Sequence, residues 1–274
     1  MNKQVLVVPD VHGETFWKKP AQKYIDQVDR IIFLGDYLDP YTDDGSVYDP
    51  DEVYNNMMEI VDLKRKNKNK VILLIGNHDF HYYSKRTLGL AKASRCDLGN
   101  WRRYNQIYNE YEDMFKIAHV EEVRGITYLF SHAGLTTYWI NKVNSLLWKL
   151  NDRDINVADK LMIDRINQLL SDFEGQNLLA VVGRYRSFLG EKTGSVLWAD
   201  VEEHAFPDAP KAYGLNKVFQ VFGHSRLNDE YDKVEFDNLV LIDSQQCFMI
   251  DEDIEKRIVT LRDYEKLKWL PPRW

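Results

Sequence analysis

The chain has 274 residues, of which 44% are hydrophobic and 29% charged, enough for a sizeable core in one large domain or one domain with an insertion. The formal net charge of -7 argues against broad electrostatic binding to nucleic acid or to an anionic membrane. Two cysteines without metal-site spacing, short apolar runs and no signal peptide predict a cytoplasmic protein that does not cross a membrane.

Short apolar runs in chain order predict the strands. The first four are VLVV (5–8), RIIFL (30–34), VILLI (71–75) and ITYLF (126–130), and VFQVF (218–222) and LVLI (239–242) follow. Unbroken apolar runs are typical of strands covered on both faces. Amphipathic segments at 49–66 and 100–115 predict helices between the early strands, and this alternation indicates an α/β fold.

The second half of the sequence departs from this alternation. LVLID (239–243) and CFMID (247–251) are separated by only a few residues, so we expect them to be antiparallel and the sheet to be mixed. Residues 136–175 read as two amphipathic helices with no strand between them. We therefore expect a single domain over residues 1–274 with a helical cap or insertion at about 136–175.

Polar clusters follow five of the predicted strands. These clusters are Asp10-Val-His12-Gly, Gly35-Asp36-Tyr-Leu-Asp39, Gly76-Asn77-His78-Asp79, Ser131-His132-Ala-Gly and Gly223-His224-Ser. Each cluster alone is explained equally well by a turn or a helix cap. Ligand sites in open α/β sheets gather outside the carboxyl ends of the strands, so the five together predict one common site.

The side chains at these strand ends suit a pair of divalent metal ions. Carboxylate, imidazole and amide oxygen are ligands of ions such as Mn²⁺, Fe²⁺ or Zn²⁺. Asp10 and His12 are two apart on an extended chain and can chelate one ion, while the carboxylate of Asp36 can bridge two. The remaining ligands of the second ion would be Asn77, His132 and His224. Two such ions activate water for in-line attack at phosphorus, which leaves His78 and Asp39 available for another role.

The five motifs resemble those of the calcineurin-like metallophosphoesterase superfamily. Within it, GDYLD, SHAGL and SVLWAD (195–200) are most similar to the phosphoprotein-phosphatase branch, which includes serine/threonine phosphatases and diadenosine-tetraphosphatase relatives. The resemblance implies a four-layer α/β/β/α sandwich of two mixed sheets. It implies two metal ions, Mn²⁺ or else Fe, Zn, Ni or Co, one held by Asp10, His12 and Asp36 and the other by Asp36, Asn77, His132 and His224.

The resemblance also assigns a second pair of residues. His78 would protonate the leaving oxygen or bind the phosphoryl group, and Asp39 would orient its imidazole. Asp79 is expected only to cap the segment that follows it.

The sequence departs from the family pattern near the expected phosphate site. Pro40 stands where the phosphoprotein phosphatases usually have an arginine that holds the substrate phosphate, and Tyr41 replaces the next glycine. Arg226 stands where the broader superfamily often has a second histidine. Because a guanidinium matches phosphate geometry, we expect Arg184 or Arg186 to act as the phosphate clamp.

The sequence thus predicts a dinuclear metal-dependent phosphoesterase that uses metal-bridged hydroxide on a phosphomonoester, as in serine/threonine phosphatases. Its substrate would be a phosphorylated small molecule, a nucleotide or a phosphoprotein, with nucleic acid disfavoured by the net charge. A dinucleoside polyphosphate hydrolase and a phosphodiesterase are the alternatives. A non-catalytic scaffold of the same fold is the least favoured, because every ligand position is filled.

Overall fold

The computed structural model describes residues 3–42, 47–91, 94–150, 155–205, 212–228, 230–255 and 257–268. The strands are β1 (Gln4–Val8), β2 (Arg30–Phe33), β3 (Val71–Leu74), β4 (Phe115–Lys116), β5 (Ala118–Val123), β6 (Ile126–Ser131), β7 (Val218–Phe222), β8 (Val234–Phe236), β9 (Leu239–Leu241), β10 (Phe248–Asp251) and β11 (Val259–Thr260). The α-helices are α1 (Lys18–Tyr24), α2 (Pro50–Lys66), α3 (Asn77–Tyr83), α4 (Leu88–Ala91), α5 (Trp101–Glu110), α6 (Thr137–Val143), α7 (Lys160–Gln168), α8 (Phe173–Leu179) and α9 (Leu261–Lys268).

The strands form two mixed sheets. The first has the order β11-β10-β1-β2-β3-β4, in which β1 to β4 run parallel and β10 is antiparallel to both of its neighbours. The second has the order β5-β6-β7-β9-β8, in which β6, β7 and β9 run parallel while β5 and β8 are antiparallel. The prediction of mixed sheets is therefore confirmed.

Three apolar clusters hold four layers together. Alternate residues of β1 point to opposite faces, so that Val5 and Val7 pack between the two sheets while Leu6 and Val8 pack against the outer helices. Helices α1, α2, α5 and α9 cover the outer face of the first sheet. Helices α6, α7 and α8 cover the outer face of the second. This is the α/β/β/α sandwich that the sequence predicted.

The described part of residues 136–175 contains helices joined by turns and no strand. It contains α6, a π-helical turn at Asn144–Trp148, α7 and the start of α8, whereas residues 151–154 lie outside the described part. Trp139 and Ile163 are buried in the cluster that also contains Leu129 of β6. The segment thus packs on the second sheet, and its description as a cap in a single domain stays a prediction.

One expectation about the late strands is wrong. LVLID and CFMID are not an antiparallel pair, because β9 belongs to the second sheet and β10 to the first. The short connection between them, with Gln245 at a φ of 52°, crosses from one sheet to the other. β9 contributes Val240 and β10 contributes Ile250 to the apolar layer between the two sheets, each from its own sheet.

No helix among the described residues is long and apolar enough to cross a membrane. The parallel strands of both sheets deliver their carboxyl ends to one edge of the sandwich, where the five polar clusters follow β1, β2, β3, β6 and β7. The fold thus creates the common site that the sequence predicted at these ends.

Candidate active site

The residues after β1 and β2 form a compact buried group. One ligand atom each of Asp10, His12 and Asp36 lies within 4.8 Å of the others, and all three residues are at most 2% exposed. His12 Nδ1 lies 3.1 Å from the carbonyl oxygen of Leu38 and 2.9 Å from that of Asp39. Because carbonyl oxygens only accept, Nδ1 carries the proton and Nε2 presents its lone pair to the site.

A second group lies directly beside the first. Asn77 Oδ1 is 2.9 Å from His132 Nε2 and 2.9 Å from His224 Nδ1, and the two imidazole nitrogens are 3.1 Å apart. His132 Nδ1 lies 3.1 Å from the carbonyl oxygen of Leu34, so its Nε2 is the acceptor nitrogen. These ligand atoms therefore converge on one point.

Asp36 connects the two groups. Its Oδ2 lies 3.5 Å from His12 Nε2 and 3.5 Å from His132 Nε2. Its Oδ1 accepts a hydrogen bond of 2.9 Å from the backbone N–H of His78, which fixes the carboxylate plane. A single oxygen atom of Asp36 thus stands between two sets of nitrogen and oxygen atoms that are able to bind a metal ion.

Burial sets the protonation of the three imidazoles. Desolvation lowers the pKa of His12 to about 3, and it also lowers the pKa values of His132 and His224. All three are therefore neutral near pH 7, the form that binds a metal ion. Burial with the negative charges of Asp243 and Asp36 raises the pKa of Asp10 well above its usual range.

The arrangement of these atoms fits divalent metal ions. Atoms that bind one ion at about 2.1 Å stand roughly 3.0–3.5 Å apart, and the separations of 2.9–3.5 Å across the two groups match this. Asn77 Oδ1 and His132 Nε2 are both acceptors, and a cation that receives both lone pairs removes their repulsion. Asp10 Oδ1 is buried without a hydrogen-bond partner in the described structure, as expected of an oxygen placed to bind a cation.

The backbone around the site is strained. His12, Asp36, Asp39 and His224 have φ values between 44° and 70°, the left-handed region that residues with a side chain rarely adopt. Close approach also requires glycine at one neighbouring position, because a Cβ atom on Gly223 would lie 1.9 Å from Asp10 Oδ1. The strained backbone at the strand ends thus costs local stability, and this same backbone conformation brings the candidate ligand atoms together.

His78 stands next to the metal-ligand groups without belonging to them. Its Nδ1 lies 2.7 Å from Asp39 Oδ2, and its ring meets that of His12 edge-on at 5.3 Å. Asp39 also accepts hydrogen bonds from Tyr82 Oη and from the backbone N–H of Asp97. Burial lowers the pKa of His78, but the charges of Asp36 and Asp39 outweigh it and leave the pKa raised. The pair therefore has the geometry of a proton donor with an orienting carboxylate.

Asp79 does more than cap the segment after it. It accepts a hydrogen bond of 2.8 Å from Gly76 N, which is the expected cap at the start of α3. It also accepts bonds of 2.6 Å from Asp36 N, 3.0 Å from Tyr37 N and 2.6 Å from Tyr108 Oη. This fully buried carboxylate thus ties the loop that carries Asp36 to the loop that carries Asn77.

The structure brings only one of the two predicted phosphate-binding arginines to the site. Arg186 lines the cleft above the ligand groups, where its Nε pairs with Asp200 at 2.8 Å and its guanidinium donates to Ser225 Oγ at 2.6 Å. Arg184 is exposed, lies over the ring of Tyr185 at 5.4 Å and is not among the described residues that line the cleft. The predicted role of Arg186 thus retains a geometric basis that Arg184 lacks.

The cleft has a volume of about 570 Å³ and contains residues that the sequence did not single out. Arg95 and Trp198 line it together with Tyr41 and Arg226. Trp198 belongs to the SVLWAD block, which carried a signal only through resemblance. Arg95 lies in a segment without any motif, so nothing in the sequence indicated that it reaches this site.

The two-sheet sandwich with buried carboxylates and imidazoles at its strand ends defines a class of metal-dependent phosphoesterases. The sequence model of the calcineurin-like phosphoesterase family matches residues 3–225, and the chain belongs to this family. The predicted family and fold class are thereby confirmed.

Individual relatives are more distant. The chain is 24% identical over 252 residues to Shewanella-like protein phosphatase 1 of Plasmodium berghei (strain Anka), which covers 84% of this chain and 59% of that protein. The chain thus spans little more than half of that relative. Two crystal structures of a cold-active protein-tyrosine phosphatase, one of them described as from a psychrophilic Shewanella species, share the fold. Their TM-scores are 0.50 and 0.51 at 17% and 18% identity, with 94% of this chain and 80% and 78% of those chains covered.

Proposed function

We propose that the chain is a dinuclear metal-dependent phosphomonoesterase. The observation that carries this proposal is the position of Asp36 Oδ2, 3.5 Å from an imidazole nitrogen of each ligand group. A carboxylate shared in this way is suited to two ions about 3.5–4 Å apart, the spacing that stabilises in-line displacement at phosphorus.

The chain offers three ligands to one ion and four to the other. The first set is Asp10, His12 and Asp36. The second set is Asp36, Asn77, His132 and His224. The mixture of carboxylate, imidazole and amide oxygen favours Mn²⁺, with Fe, Zn, Ni or Co as other occupants. When bound, the two ions supply an activated water as nucleophile and neutralise the charge that develops on the phosphate.

His78 would supply the proton for the leaving oxygen. Asp39 engages Nδ1, so Nε2 is the ring nitrogen that remains for a substrate in the cleft. The orienting carboxylate is itself held by Tyr82 Oη and by the backbone N–H of Asp97. This fixes the ring before substrate binds, which lowers the cost of reaching the geometry for proton transfer.

The arginines favour a phosphate monoester. Arg186 stands at the cleft with a rigid anchor on Asp200 and Ser225, and a monoester dianion carries more charge for such a cation than a diester does. The similarity to a relative named a protein phosphatase supports the phosphoprotein-phosphatase branch and a phosphoprotein substrate, while a phosphorylated small molecule or nucleotide also fits the cleft. Localisation in the cytoplasm stays a prediction.

A substrate panel with metal reconstitution tests the proposal. Metal-free protein should be inactive, and added Mn²⁺ should restore hydrolysis of p-nitrophenyl phosphate and phosphopeptides well above that of bis-p-nitrophenyl phosphate and diadenosine tetraphosphate. Asp36→Asn should remove nearly all activity and weaken Mn²⁺ binding measured by calorimetry. Preference for the bis-ester or the dinucleotide would instead favour a phosphodiesterase or a dinucleoside polyphosphate hydrolase.

The role of His78 has its own test. His78→Asn should slow hydrolysis of phosphoserine, whose alkoxide leaving group needs a proton, far more than hydrolysis of p-nitrophenyl phosphate, whose leaving group does not. An equal loss on both substrates would assign His78 to phosphate binding rather than to proton donation.

A further inference from the structure

The ring of Tyr41 lies between two guanidinium groups at the mouth of the cleft. The Cζ atom of Arg95 is 3.8 Å from the centroid of the ring, and that of Arg226 is 4.1 Å from it. Both guanidinium groups are thus within cation–π distance of the same ring. Three distant parts of the chain thus form one stack.

The stack is attached to the proposed metal centre. The Tyr41 ring meets the ring of His12 at 4.5 Å and an interplanar angle of 62°, and Arg95 Nη1 donates to the carbonyl oxygen of Asp39 at 3.3 Å. Both arginines line the same cleft as His78 and Asp36. Pro40, directly after Asp39, carries no cation. Arg95 and Arg226 therefore bring positive charge to the cleft that Pro40 does not supply.

We infer that Arg95 and Arg226 form the phosphate clamp of this enzyme, with Tyr41 as the positioning residue that holds both guanidinium groups. The inference rests on the proposed phosphoesterase function and deepens it. A planar guanidinium presents a fork of N–H donors that matches two phosphate oxygens, and stacking on a ring restricts the fork before the substrate arrives. Two forks held by the same ring and lining the same cleft can contact the non-bridging oxygens of a single phosphate.

The clamp also defines substrate class. A phosphate monoester brings three non-bridging oxygens and about two negative charges at neutral pH, whereas a diester brings two oxygens and a single charge. Two cationic forks in addition to Arg186 therefore stabilise the monoester more than the diester. The clamp makes this cleft selective for terminal phosphate groups.

Alanine substitutions in the metal-loaded protein test the clamp. Arg95→Ala and Arg226→Ala should each raise KM for p-nitrophenyl phosphate, and Ki for inorganic phosphate, about tenfold or more, because each removes charge-assisted hydrogen bonds. The preference for this monoester over bis-p-nitrophenyl phosphate should fall in both variants. Tyr41→Ala should raise KM in the same way, and Tyr41→Phe, which retains the ring, should recover most of that loss.

Arg103→Ala is the matched control. Its guanidinium is also stacked on a tyrosine, 4.0 Å from the ring centroid of Tyr54, but it does not line the cleft. This variant should keep KM and Ki unchanged. If an alanine variant does not fold, Arg95→Lys or Arg226→Lys takes its place. These variants retain the charge without the fork and should raise KM by less than alanine would.

The clamp is wrong if either arginine variant, or Tyr41→Ala, keeps both KM and Ki within about twofold of the wild type while binding Mn²⁺ normally. Calorimetry with inorganic phosphate separates this failure from that of the proposed function. If the wild type binds inorganic phosphate but hydrolyses no monoester, the proposed function is refuted. If Arg95→Ala and Arg226→Ala then lose that phosphate binding, the clamp is still supported.

Discussion

Replacement of Asp79 by alanine should damage both the fold and the metal centre. The carboxylate is 0% exposed and accepts from four donors: the backbone N–H groups of Gly76, Asp36 and Tyr37, and Tyr108 Oη. Alanine leaves these donors buried and without an acceptor. Since Asp36 is the residue that bridges the two proposed ion sites, loss of its backbone anchor should also shift its carboxylate.

The size of the effect follows from the donors that are left. A buried donor without a partner costs about 1–3 kcal/mol, so the three backbone N–H groups together suggest a loss of about 3–9 kcal/mol in the free energy of unfolding. In a chain of this length that corresponds to a fall of roughly 10 °C or more in melting temperature. Asp79→Asn retains one acceptor oxygen and should fall between alanine and the wild type.

Urea unfolding of the metal-free protein measures this loss, and calorimetry with Mn²⁺ measures the effect on the site. Asp159→Ala is the matched control, because the side chain of Asp159 is also an acceptor at a helix start but accepts a single bond from the described residues, from Leu161 N at 2.9 Å. It should lose about 1 kcal/mol. A stability of Asp79→Ala within about 1 kcal/mol of the wild type, with unchanged Mn²⁺ affinity, would refute the anchoring role.

Three further predictions concern the site and the stability of the protein. Gly223→Ala should weaken Mn²⁺ binding measured by calorimetry, because its Cβ would lie 1.9 Å from Asp10 Oδ1; an unchanged affinity would contradict this, and Gly89→Ala, where nothing lies within 4 Å and φ is not left-handed either, is the control for an added methyl group. Saturating Mn²⁺ should raise the melting temperature of the wild type but barely that of Asp36→Asn, since binding to the native state alone stabilises it; equal shifts would place the ion elsewhere. Glu121 lies 2.6 Å from Lys3 Nζ, 2.7 Å from Arg30 Nε and 2.9 Å from His119 Nε2. Burial raises the pKa of Glu121, but these partners outweigh burial and lower the pKa to about 2. Because this folded-state pKa is depressed, Glu121→Gln should be about 1–3 kcal/mol less stable than the wild type above pH 5 in urea unfolding, with the difference vanishing as pH falls towards about 2; a difference that does not change with pH would contradict the ion-pair account.

The metal-ligand groups could be predicted from the sequence because each ligand directly follows a strand. Parallel strands place their carboxyl ends at one edge of a sheet. Local patterns at Asp10, Asp36 and His132 were therefore sufficient to predict that these distant residues lie close together. Arg95 could not be predicted in this way. It reaches the cleft through the packing of a segment without motif or strand, and only three-dimensional contacts with Tyr41 reveal it.

The same distinction between local pattern and three-dimensional packing explains why β9 and β10 were wrongly predicted to pair. Short sequence separation favours an antiparallel pair, but the apolar faces of β9 and β10 fill different sides of the layer between the sheets. Strand β5 was not predicted because its sequence, AHVEEV, mixes charged residues with apolar ones. Its Glu121 is buried by the partners Lys3 and Arg30, which lie far away in the chain.

The most direct test of the proposed mechanism is a titration of metal-free protein with Mn²⁺ in which binding and p-nitrophenyl phosphate turnover are followed on the same samples. The shared position of Asp36 predicts two ions per chain and turnover that reaches its plateau only with the second equivalent. Full turnover at one equivalent, or in excess chelator, would contradict the dinuclear mechanism.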